Sequence, residues 1–134
     1  MSLRHLMSVG AVALCLATPV VAASNSGYGR GGKIKEFASE VDRHNSSGEL
    51  FRIKGRCQSA CTMFLVVRNS CVEPSARLLF HAGTDAAATS RMMNSYNSSL
   101  QGYLTARGAM KDRTFFAISG ADIISKFGYR SCPK

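Results

Sequence analysis

Between Gly55 and Gly83 the chain reads G-R-C-Q-S-A-C-T, then the apolar run M-F-L-V-V, then C-V-E-P-S-A-R-L-L-F-H-A-G after a short polar break. This block constrains the fold more than any other part of the sequence. A small-residue turn presents Ser59 at the start of a helix-length segment that is apolar nearly all round, so the segment belongs inside the protein. A second turn at Pro74-Ser75 and a strand from Arg77 to Phe80 then deliver His81. A serine and a histidine at the ends of adjacent elements can be a nucleophile and its general base. They are equally the parts of a helix cap and a structural imidazole.

The flanking segments supply the rest of the architecture. Ile34, Phe37, Ala38 and Val41 recur at helical spacing among Lys35, Glu36, Glu40 and Asp42, which predicts an amphipathic helix ending at Asn45-Ser46-Ser47-Gly48. Leu50 to Lys54 alternates and reads as a strand, with Gly55 to Gln58 as the turn after it. Cys71-Val72 reads as extended and Ala82 to Thr89 as a loop. Met92, Met93, Tyr96, Leu100, Tyr103 and Leu104 predict the longest helix, from about Ser90 to Arg107, stopped by Gly108. Phe115, Phe116 and Ile118 form a short apolar piece, and Ser119-Gly120-Ala121-Asp122 opens a last helix that Gly128 ends. Strands alternating with helices predict an α/β domain built on a small, mainly parallel sheet flanked by helices. In such sheets sites form where strands end and helices begin, which is where Ser59 and His81 fall.

Residues 1–23 read as a secretory signal peptide. Arg4 and His5 begin it, Val9 to Leu16 form a short apolar core, and Val21-Ala22-Ala23 supplies a small-residue cleavage site. The expected organisation is therefore this leader followed by one domain over residues 24–134, in the periplasm or secreted. No second apolar run of spanning length follows, so no transmembrane segment is expected in the mature chain. With Cys15 in the leader, Cys57, Cys61, Cys71 and Cys132 remain, and an even count in a small exported domain reads as two disulfides with three possible pairings. The C-x3-C spacing and the absence of a paired histidine argue against zinc, and no cofactor is expected.

Without Arg4 the 17 Lys+Arg and 8 Asp+Glu of the whole chain leave a charge of +8. That favours anionic partners, including envelope polymers. The cations are scattered singly without aromatic interleaving, which argues for a solvated surface over a nucleic-acid groove. Gly31-Gly32, just before the first helix, has bare N–H groups suited to an oxyanion. An acid to orient His81 has to come from Asp85, Asp112 or Asp122; Asp122 also fits a first-turn position in the last helix.

Several motifs together carry a resemblance. Gly31-Gly32 before a helix, G-x-C-x-S-A-C-T at 55–62, C-V-x-P-x-A-R-L-x-F-H-A at 71–82 and F-G-Y-R-S-C at 127–132 resemble a family of small exported bacterial proteins. That family is related to the Clp protease proteolytic subunit, within the ClpP/crotonase-like superfamily. The resemblance implies a reduced ClpP/crotonase-like fold and a serine hydrolase acting on peptides or envelope material. It implies Ser59 as nucleophile, His81 as base, Asp112 as acid and Gly31 and Gly32 as oxyanion donors. It also implies a Cys71–Cys132 disulfide tying the tail to the core, with Cys57 and Cys61 left to pair with each other or stay free. Arg30 stands where the family has a proline, and only Ser24 to Arg30 precede the glycine pair where further strands are usual. The sheet is then small or completed by a partner, and self-association is expected. The alternative is a non-catalytic binding or assembly protein on the same scaffold.

Overall fold

The computed structural model describes residues 10–16 and 22–134, so most of the expected leader lies outside the described residues. Helix α1 (Ile34–Ser47) turns Phe37, Val41 and His44 inward and ends where Gly48 adopts the left-handed conformation. Its N-terminus has no side-chain cap. The chain then enters β2 (Phe51–Ile53), which lies parallel to both β1 (Ala23–Ser24) and β4 (Ser70–Val72). A second three-stranded sheet contains β3 (Arg56–Gln58), β5 (Arg77–Phe80) and β6 (Phe116–Ser119). Here β3 and β5 are parallel, while β5 and β6 are antiparallel.

The result is mixed α/β, as the alternation of elements predicts, but with two small sheets where one was expected. The chain kinks between them at Lys54-Gly55. Asn25 bridges the kink: its Oδ1 accepts from the Lys54 N–H at 2.8 Å and its Nδ2 donates to the Lys54 carbonyl at 2.9 Å. The Glu73 N–H donates to Ile53 on one side of the break and the Arg77 N–H to Gly55 on the other. Residues 56–58, expected as a turn, are a strand because they pair with β5 residue for residue, Cys57 opposite Leu78.

The segment Ser59–Val66 is helical as expected, but wound as a 3₁₀ helix, and six of its residues are buried. Phe64 within it and Phe51, Ile53, Leu78 and Phe80 around it are fully buried. Each contributes roughly 1.5–3 kcal/mol by leaving water. The Phe51 and Phe64 rings lie 4.5 Å apart, Tyr28 packs edge-on against both Phe64 and Phe37, and Phe37 is tilted against Phe64.

The long helix expected over about 90–107 is two helices. Asp85 caps α2 (Ala86–Met93) by accepting from the Ala88 N–H, and Asn97 caps α3 (Ser98–Ala106) by accepting from the Leu100 N–H. The apolar spacing runs through the break because Tyr96 points into the core from the connecting turn. The last helix, α4 (Gly120–Phe127), starts at Ser119, whose Oγ accepts from the Asp122 N–H, and Gly128 ends it. Disulfides join Cys57 to Cys61 and Cys71 to Cys132. The second holds the tail, where Ser131 bridges Val72 in parallel. Among the described residues no helix is long and apolar enough to cross a membrane.

Candidate functional site

Gly29 to Gly31 lie against β3 and the turn after it, and the contact requires glycine. A Cβ on Gly31 would sit 2.8 Å from the Gln58 carbonyl oxygen and 2.8 Å from Ser59 Cβ, and its φ of 77° is itself left-handed. The Gln58 N–H donates to the Gly29 carbonyl at 2.9 Å, and the Gln58 side chain donates to the Arg30 carbonyl. The glycine loop is thereby fastened to the serine turn.

Ser59 has φ 56°, and it is the one non-glycine residue with positive φ among the described residues. L-residues pay for this conformation, and it persists only where the surroundings over-determine it. Three restraints do so here. The Cys57–Cys61 disulfide closes the turn around Ser59. Thr62 Oγ1 donates to the Ser59 carbonyl at 2.7 Å. Gly31 covers its Cβ. The Ser59 side chain does not serve as a helix cap: the cap position belongs to Gln58, and no side chain there accepts from the helix. The capping alternative is therefore corrected, and no hydrogen bond of Ser59 Oγ is found among the described residues.

Strand β5 delivers His81, which is 4 % exposed. Its Nδ1 bonds to the Ala82 carbonyl. A carbonyl only accepts, so Nδ1 is the donor, and in the neutral tautomer with this bond Nε2 is the nitrogen with the lone pair. Phe115 lies edge-on against the ring at 5.1 Å between centroids. The Arg56 guanidinium stands 5.7 Å from the Phe115 ring centre.

Ser59 and His81 open on one cleft of about 490 Å³, also lined by Gly32, Lys33, Ile34, Gly83, Met92 and Arg113 among others. Gly31 packs beneath Ser59, and its N–H donates to the Tyr28 carbonyl at 3.0 Å. The Gly32 N–H has no acceptor among the described residues. The first N–H groups of the 3₁₀ helix, Ala60 among them, lack intrahelical acceptors by its geometry. The sequence reading did not name Ala60, which follows Ser59 directly and is fully buried.

The carboxylates are placed differently. Asp112 approaches His81 through its backbone, since its carbonyl accepts from the Ala82 N–H at 2.7 Å. Its Oδ1 accepts from the Thr114 N–H at 2.8 Å, and no bond from it to His81 is found among the described residues. Asp85 caps α2, and Asp122 pairs with Lys126 at 3.3 Å. All three candidate acids thus serve their own stretch of chain, and a backbone carbonyl holds the imidazole. No cluster of three or more potential metal ligands occurs among the described residues.

Comparison with protein-family models, curated proteins and solved structures gives no match for this chain.

Proposed function

We propose that the protein is an exported serine hydrolase, acting on peptides or related acyl substrates, on a reduced ClpP/crotonase-like scaffold. The observation that carries this reading is the shared cleft of Ser59, held in left-handed backbone, and His81 with its Nε2 unpaired. In the proposed reaction Ser59 Oγ attacks the carbonyl carbon while His81 Nε2 takes the hydroxyl proton. The N–H groups of Gly32 and Ala60 receive the oxyanion. The imidazolium returns the proton to the leaving amine, and a water then releases the acyl group by the same route.

The order of elements and the motifs from Gly31 to His81 support the superfamily assignment. The two disulfides fit an oxidising compartment such as the periplasm. One observation favours the competing reading, a binding or assembly protein on this scaffold: the Asp112 carboxylate is turned onto Thr114.

The deciding experiment is labelling of the exported, oxidised protein with a fluorophosphonate probe, beside Ser59→Ala and His81→Ala. Labelling that requires both residues is the expected result. A folded protein that takes no label overturns the hydrolase reading in favour of binding.

A further inference from the structure

Two of the side chains lining the cleft are cationic, Lys33 and Arg113, and none of the lining residues is anionic. Lys33 leans toward Glu36 at 3.9 Å, with both side chains largely in water, so that pair holds the ammonium weakly. Arg113 makes no ion pair among the described residues. The nearby carboxylates are engaged elsewhere, Asp85 with the Ala88 N–H and Asp112 with the Thr114 N–H.

Backbone dipoles add to the same sign. The uncapped N-terminus of α1 enters the cleft through Gly32, Lys33 and Ile34, and the 3₁₀ helix begins there at Ser59. Helix N-termini carry partial positive charge and unsatisfied N–H donors. His81 lines the same space, and its Nε2 has no hydrogen bond among the described residues. Ile34, Ala88 and Met92 supply an apolar wall.

We infer that the cleft selects acidic peptides, with a side-chain carboxylate next to the reacting carbonyl engaged by Arg113 and Lys33. This rests on the hydrolase reading for the location of the carbonyl, while the charge selection is testable without turnover.

The test measures binding of a short glutamate-containing peptide and its glutamine counterpart to the Ser59→Ala protein. The expected result is about tenfold tighter binding of the glutamate peptide, the size of a charge-assisted contact. The preference should shrink in high salt, and fall to about one on adding Arg113→Ala together with Lys33→Ala. Equal binding of the two peptides, binding of neither, or a preference that survives Arg113→Ala together with Lys33→Ala overturns the inference. Fluorophosphonate labelling of the native protein reads the hydrolase step separately. Labelling without glutamate preference removes only this inference. Glutamate preference without labelling removes only the hydrolase reading.

Discussion

The Tyr96 hydroxyl and Thr62 Oγ1 lie 2.5 Å apart in the core, and Thr62 Oγ1 in turn donates to the carbonyl of Ser59. With the threonine proton directed at Ser59, the tyrosine must be the donor of the pair. Burial pushes the Tyr96 phenol far up, so it stays protonated. This buried relay runs from the turn between α2 and α3 to the backbone of the candidate nucleophile.

Thr62→Val should therefore be worse than Tyr96→Phe. The valine leaves the Tyr96 hydroxyl buried without a partner and releases the Ser59 carbonyl, at a cost of roughly 1–3 kcal/mol. The phenylalanine removes one donor only and costs about 1 kcal/mol. Urea midpoints rank the two, and fluorophosphonate labelling should drop more steeply for Thr62→Val. Equal loss in both variants would show that the relay does not hold the turn.

The two disulfides should separate stability from site geometry. Cys71–Cys132 spans 61 residues of sequence and Cys57–Cys61 spans 4. Chain-entropy reasoning gives roughly 4 kcal/mol for the first and roughly 2 kcal/mol for the second. Paired Cys→Ala variants compared by urea unfolding should show that order. Labelling per folded molecule should follow the opposite order, because only the short loop contains Ser59.

Acidification should weaken the fold through His44. Its ring lies 4.6 Å from Phe51 in the core, with its Nε2 3.7 Å from Glu40 and the Arg43 guanidinium 3.3 Å away. Burial first, then the positive charge of Arg43, holds the imidazole below its ordinary 6.5, with Glu40 and Glu49 opposing. The unfolded chain then binds the proton first, so stability is lost as pH falls below about 6.5. The Arg43 hydrogen bond holds Glu40 below its ordinary 4.5, which adds a second loss below that value. Urea midpoints should decline from about pH 7 to pH 5, and His44→Phe should flatten that decline. An unchanged slope in the variant would assign the acid sensitivity elsewhere.

Strong local signals were readable along the chain. The first helix showed in the spacing of Ile34, Phe37 and Val41, strand β5 in Arg77–Phe80, and the last helix in Ser119 and Gly128. Residues 56–58 were not readable as a strand, since three residues beside a glycine have no period and become extended only by pairing with β5. The break before Asn97 was masked because Tyr96 is apolar enough to continue the helical spacing, although Asn97 itself is a fitting cap.

The sequence by itself determined the alternation of strands and helices, the even set of cysteines after residue 23, and the positions of Ser59 and His81 at element ends. These rest on periodicity, turn chemistry and composition, which act over a few residues. Tertiary structure alone decided that Gly31 lies against Ser59, that Tyr96 reaches Thr62, that the sheet divides at Lys54-Gly55, and that the Asp112 carboxylate faces Thr114 while a carbonyl holds His81. Most of these join groups far apart in the chain. The Asp112 and His81 bonds are local, but the alternative for each was the other, distant residue, and only packing chooses between them.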